Sequence, residues 1–314
     1  MRWPWTVLCH SRIAVGRGRL AMPAGIGEML IMYRKQSATR FAVVMILLLA
    51  ACCAAETTRK EYRFKVGRRA SVSIINQYGP VSIKPGPRKQ VVVVGTLYSD
   101  KVEIDQSKSG KRVSVLSHLL PGADANTGRV DYEVLVPADA NVTLRSTNGP
   151  LHVEKLHGDV TLEGNTAIVD VRDVSGGHMR VKTLNGAVTL TNITDGHVEI
   201  TSVGGDVALH AVNGTLVHVN SGSGKIHYDG DFGEAGDYSL TSHSGDIEAI
   251  APAYTSIEVV ARSVQGRVDN DFPLRPEHTT FVPQAGSAFA GTMGEAASSV
   301  KLLSFSGKIH LKKR

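Results

Sequence analysis

Between residues 149 and 266 the chain repeats one short phrase: a turn residue, then an outward, an inward, an outward and an inward position. It runs Gly149-Pro-Leu-His-Val, Gly158-Asp-Val-Thr-Leu, Ala167-Ile-Val-Asp-Val, Gly177-His-Met-Arg-Val, Gly186-Ala-Val-Thr-Leu and Gly196-His-Val-Glu-Ile, and continues in the same form to Gly266-Arg-Val-Asp-Asn. Thirteen turn slots recur on average every 9.75 residues, and eleven of them hold Gly. The alternation predicts half-buried strands of about five residues, each ended by a glycine able to adopt positive φ. One such strand cannot bury its apolar face alone, but stacked copies form a continuous ladder. Two units make a coil of about 19–20 residues, so the slots divide between two faces. One face takes 149, 167, 186, 205, 224, 245 and 266, and the other takes 158, 177, 196, 214, 236 and 255.

Residues before the first set also rhyme: Ser146-Thr-Asn, Lys182-Thr-Leu-Asn, Thr201-Ser-Val-Gly, Asn220-Ser-Gly-Ser and Thr241-Ser-His-Ser. Small hydroxyl and amide groups at a repeated corner can bond turn backbone, coil after coil. Two departures stand out. His218 falls where an inward apolar residue belongs, which predicts a register slip at Val217 and Val219. The twelve residues from Gly224 to Gly236 predict a loop bulging from one coil.

The expected fold is therefore an all-β, single-chain β-solenoid, with regular repeats over 146–270. Residues 60–145 carry longer alternating strands that cap and lead into it. Residues 271–314 are irregular apart from a last copy of the unit, Gly307-Lys-Ile-His-Leu. Atypical capping strands suit both ends, where a solenoid would otherwise expose strand edges.

Charge narrows the function classes. The net charge of +6 belongs to the N-terminal stretch: residues 1–55 hold seven basic side chains and one acid, leaving 28 of each sign in 56–314. A neutral body gives no electrostatic reason to bind nucleic acid. All three cysteines (Cys9, Cys52, Cys53) lie in that first stretch, so the body has neither disulfide nor thiol chemistry.

Residues 32–51 combine a short basic segment with the apolar run Phe41–Ala51, which is a secretory signal peptide. The run is shorter than the ~20 residues that span a bilayer. Leu49-Ala-Ala-Cys52 resembles the bacterial lipobox, which implies acylation of Cys52 and a short anchor linker at 52–59. An ordinary signal cleaved after Ala55 is the alternative. Residues 1–31 fit neither element and are read as a mis-assigned start or a disordered extension, Met32 giving a signal of normal length. The residue after Cys52 is not Asp, which by resemblance to enteric-type lipoprotein sorting favours the outer membrane.

Three passages resemble the bacterial "putative adhesin" family, a domain of unknown function in exported proteins. They are Asn76-Gln-Tyr-Gly-Pro-Val-Ser-Ile, Tyr132-Glu-Val-Leu-Val-Pro leading into Leu144-Arg-Ser-Thr-Asn-Gly149, and the serial units that follow. The resemblance covers about 60–311. It implies a right-handed, β-helix-like solenoid, a surface-binding role and no catalytic residues.

Solenoids can nonetheless be enzymes, so the outward positions matter. Coils stacked in register would bring His178 and His197 to about 4.8 Å on adjacent rungs, near Asp159, a candidate metal or sugar site. The plainer reading is a solvated sheet face, because metal sites need converging ligands and a supporting shell. Asp206 and Asp246, separated by Lys225, suggest cross-strand charge pairing. Calcium-binding Gly-Gly-x-Gly-x-Asp nonapeptides and phosphate loops are absent. The expectation is a non-catalytic, cofactor-free envelope lipoprotein that offers a rigid polar wall to a glycan or an envelope protein. The alternatives are a carbohydrate-active β-helix lyase or hydrolase, and an assembly or sensor protein whose bare terminal rungs associate end to end.

Overall fold

The computed structural model describes residues 57–276 and 287–314; the stretch 32–51, read above as a signal peptide, and Cys52 lie outside them. Period-2 strands pile into two parallel ladders that enclose one apolar interior. The first ladder contains Asn141–Asn148, Val160–Gly164, His178–Thr183 and the second halves of Val188–Ser202 and Val207–Ser221. The second contains Leu151–Glu154, Val169–Ser175, the first halves of those two long strands, Ile226–Asp229 and Ile247–Ala251. Successive rungs sit 18 or 19 residues apart in the middle of the column. The β-solenoid is as the repeat predicts, with a central coil within about one residue of the expected 19–20.

The inward positions form continuous columns. Val142, Val160, Met179, Val198 and Val217 stack in one ladder, and Leu151, Val169, Val188, Val207 and Ile226 in the other, all buried. Between the ladders each central coil has a short third side carrying one inward residue: Leu156, Val174, Ile193 or Val212. The predicted loop after Ile226–Asp229 does not bulge outward only. It turns Phe232 into the core, stacked on Tyr228 at 4.7 Å, as the counterpart of Val212. The predicted slip is present as well. Gly196 pairs with Gly214 but His197 with Leu216, so Val217 and Val219 point inward and His218 does not.

Glycine marks the turns for a reason other than backbone handedness. Most slot glycines, among them Gly186, Gly205, Gly224 and Gly245, do not have positive φ. Instead each lies against the carbonyl of the previous coil. A Cβ on Gly224 would come within 2.1 Å of the Gly205 oxygen, and one on Gly245 within 2.0 Å of Gly224's. Left-handed backbone falls on the opposite corner, on Lys155, Asp173, Asn192 and Ala211, and again at Gly176 and Asp195. The hydroxyls three residues before the slots are buried and capped on the turn: Ser202 and Ser221 donate to Gly205 O and Gly224 O at 2.8 and 2.9 Å, and Ser242 accepts from Gly245 N–H at 2.9 Å. Ala167, the one slot in this column that holds alanine, is matched by Gly164 where the others carry Ser or Thr.

The order of the coils departs from the order of the chain at both ends. Asp237–Ser242 does not pair with Ile257–Ser263; Ser298–Ser304 lies between them, parallel to both. Ile309–Lys313 likewise separates Ile247–Ala251 from Val268–Asn270. The last repeat in sequence is thus the penultimate coil in space, and slots 245 and 266, expected to be adjacent, are separated by Gly307. The N-terminal end mirrors this. Ser71–Tyr78 lies between Asn141–Asn148 and Arg112–Leu119, and Val81–Pro85 between Leu151–Glu154 and Val130–Val136. Coils therefore continue on both sides of 146–270.

The terminal rungs are not bare. Antiparallel strands cover them: Val102–Ser109 on Arg112–Leu119, Gln90–Leu97 on Val130–Val136 with Thr58–Lys65 outside it, and Ala288–Met293 on Ile257–Ser263. The outermost strand, Thr58–Lys65, is rich in Arg and Lys, and the opposite end closes with the two-residue Arg275–Pro276 and the three-residue Val268–Asn270. Short, charged and proline-bearing edges resist pairing with another sheet.

Candidate functional site

Because inward and corner positions are fixed by contact, only the outward side chains are free to carry function. On the first ladder a groove of about 520 Å³ runs beside the Ser-x-x-Gly corner, lined among others by Gln77, Arg145, Glu163, Lys182, Leu184 and Val203. Its charges pair across rungs: Arg145 Nε lies 2.9 Å from Glu163 Oε2, and next to it Arg180 Nε donates to Glu199 at 2.9 Å. Along the corner itself Leu184, Val203 and Val264 are exposed. His243 and Phe305 stack face to face there, with ring centres 5.1 Å apart.

The outer face of the second ladder is ionic. His152 lies 3.1 Å from Asp170, which also receives Arg172 at 2.9 Å. His227 lies 3.0 Å from Glu248, and His310 3.1 Å from Asp271. Such half-exposed pairs stabilise only weakly. They do tune protonation: Arg267 and Lys308 hold the Asp269 carboxyl below the usual range, and His310 does the same for Asp271. The carboxyl of Asp124 is also held down, by N–H and hydroxyl groups of its own loop, Thr127 first. These three carboxyls are held in the charged form by their neighbours.

His178 and His197 stand opposite each other on adjacent rungs, edge to face, with ring centres 4.7 Å apart. Asp159 contributes differently from the expectation: its carboxylate accepts the His178 main-chain N–H at 3.0 Å. Asp206 and Asp246 do the same for the N–H groups of Lys225 and Lys308, both at 2.8 Å, so these aspartates cap the next coil rather than pair with lysine side chains. Among the described residues, the trio whose ligand atoms all lie within 4.8 Å of one another is His210, His227 and Asp229. Alternation along a single strand does not reveal it. His210 and Asp229 are one coil apart and His227 shares Asp229's face, a signal available once the 19-residue register is applied to every outward slot.

Stacked parallel coils around continuous buried columns define an all-β solenoid. The chain belongs to the Toastrack DUF4097 family, whose model matches residues 71–312, from the first coil strand in sequence to the inserted one. It is similar to two solved structures. One is a "putative adhesin" from Bacteroides fragilis, with 12% identity, 83% of this chain and 99% of that one covered, and a TM-score of 0.40. The other is a "putative cell adhesion protein" from Clostridium sporogenes, with 11% identity, 82% and 100% covered, and a TM-score of 0.30. No curated protein matches the chain.

Proposed function

We propose that this is an exported lipoprotein of the cell envelope, held by an acyl chain on Cys52 at the outer membrane, whose solenoid walls bind a glycan or another envelope protein without turnover. The observation that carries the binding reading is the division of labour along each coil. Inward residues and corner glycines are locked by contact, while outward positions vary along an uninterrupted surface. Aromatic His243–Phe305 stacking beside the exposed Leu184–Val203 ridge gives that surface an apolar edge on which a sugar ring or a partner side chain can rest. The anchor reading rests on Leu49-Ala-Ala-Cys52 after a secretory apolar run.

Two measurements test the pair of claims. Radiolabelled palmitate should enter the wild type and not Cys52→Ser, which should leave the membrane fraction. Glycan-array and pull-down binding by the purified protein should weaken in Phe305→Ala, with no loss of polysaccharide viscosity on incubation. A fall in viscosity would favour the carbohydrate-active alternative.

A further inference from the structure

The outer face of the second ladder holds a group of donors that neither the family nor the proposed binding role assigns. His210 and Asp229 stand directly opposite each other on neighbouring rungs, and His227 lies two residues before Asp229 on the same face. Their ligand atoms all fall within 4.8 Å of one another, and the two imidazole rings are 5.6 Å apart at an interplanar angle of 54°. All three side chains are half-buried. Directly opposite His227 is Ala208, which leaves room beside the ring.

The support beneath them is stiff. Leu209 and Tyr228, the inward neighbours, are fully buried, and the Tyr228 hydroxyl is tied to Val212 O and Asp231 O at 3.0 and 2.8 Å. A further rung supplies an orienting group: Glu248 stands in register with His227, and its Oε2 lies 3.0 Å from His227 Nδ1. A carboxylate on Nδ1 keeps the proton there and leaves Nε2 as the donor, the carboxylate–histidine–metal arrangement found around bound zinc.

We infer that His210, His227 and Asp229 form a binding site for a divalent ion of the zinc class. Two imidazoles and one carboxylate suit borderline transition ions and not calcium or magnesium, which take oxygen donors. Tetrahedral bonds of about 2.0–2.2 Å bring ligand atoms to roughly 3.3 Å of one another, so rotamer adjustment alone closes the trio, with water as fourth ligand. One internal competitor is present. Arg314 pairs with Asp229 while its own N–H is held by Ala251 O. Metal binding displaces that guanidinium.

The test uses the purified, untagged, chelator-treated protein with its cysteines alkylated. It is titrated with zinc chloride by calorimetry and with cobalt(II) by visible absorption. One saturable zinc per chain is expected, with a tetrahedral-type cobalt spectrum. His210→Ala and His227→Ala should each weaken zinc at least tenfold, and Glu248→Gln by roughly 10–100-fold, with far-UV circular dichroism unchanged. Arg314→Ala should bind at least as tightly as the wild type, and His178→Ala, on the other ladder, the same as wild type. Zinc affinity unaffected by His210→Ala and His227→Ala, or lost in His178→Ala, would overturn the assignment, as would no saturable binding at all. Should an alanine variant fail to fold, Asp229→Asn and Glu248→Gln with the cobalt spectrum decide between the same outcomes.

Discussion

A Cβ added to Gly205 would lie 2.0 Å from the carbonyl oxygen of Gly186 on the preceding coil. Backbone faces backbone at that point, so no side chain can move to relieve the clash. Gly205→Ala should therefore cost about 3 kcal/mol or more, the top of the range for overpacking. Ala211 sits at the opposite corner with φ 51°. A left-handed L-residue costs roughly 1–2 kcal/mol, part of which Ala211→Gly recovers against added chain entropy. Urea midpoints should fall sharply for the first variant and hold or rise for the second. Equal effects would mean that handedness, not space, selects glycine at the slots.

The pair Gly164 and Ala167 inverts the Ser-x-x-Gly pattern of the other corners. A Cβ on Gly164 would meet the Ala167 methyl at 2.7 Å, so the methyl occupies the room that Ser202 or Ser221 fills elsewhere. Gly164→Ser alone should destabilise; added to Ala167→Gly it should be rescued. A double-mutant cycle should return a favourable coupling of about 1–3 kcal/mol. Additive effects would refute the exchange.

These two corners show where the sequence was legible. Inward and outward residues such as Val160 and Thr161 could be assigned from alternation alone, because the side-chain period of a strand is fixed by its backbone. The slot glycines were visible, but their cause was not, since the carbonyl that excludes a Cβ from Gly205 belongs to a residue one coil away. The order of the end coils was hidden for a related reason: Gly307-Lys-Ile-His-Leu looks like any other unit, and which rung it joins depends on what residues 257–270 leave uncovered. His210, His227 and Asp229 escaped notice because each is an ordinary outward residue until the register of three strands is known.

Asn76 is buried beside the first turn. Its amide donates to Gly79 O and Val130 O at 3.0 and 2.8 Å, and its oxygen accepts from Ser117, which also meets the Tyr132 hydroxyl at 2.9 Å. Asn76→Leu leaves two carbonyls and a hydroxyl to find new partners without water. The expected cost is about 2–4 kcal/mol by chemical denaturation, at one to three per buried unpaired group after partial repair. A loss under 1 kcal/mol would show that the network is dispensable.

Alkali should unfold the column from its tyrosines. Burial pushes the Tyr132 phenol up to about 12, and raises Tyr228 and Tyr238 as well. In the unfolded chain these phenols titrate near 10. Stability is therefore complete below about pH 10 and declines as pH rises towards the folded values, because the unfolded state sheds protons that the native state keeps. Each phenol contributes up to about 1.4 kcal/mol per pH unit in that window. Urea midpoints at pH 8, 9 and 11 should be level between the first two and fall at the third. The share of phenolate absorption that belongs to Tyr132, Tyr228 and Tyr238 should appear at pH 11 chiefly with unfolding.

The inserted coil at the C-terminal end makes a sharper demand. Ile257–Ser263 has Ser298–Ser304 on one side and Ala288–Met293 on the other, so both of its neighbours come from the segment that follows it. Truncation after residue 276 removes both, and with them the rung that joins 257–270 to Asp237–Ser242 and Ile247–Ala251. In a repeat column whose stability is a sum over neighbouring rungs, loss of a true terminal coil would leave the next one protected. Here residues 257–270 should lose amide protection together with the deleted strands, while Val188–Ser202 and Val207–Ser221 keep theirs. Hydrogen exchange on the truncated protein reads this directly. Protection persisting across Ile257–Ser263 would mean that this strand can dock on Asp237–Ser242 unaided, and that the insertion is not required to hold the end closed.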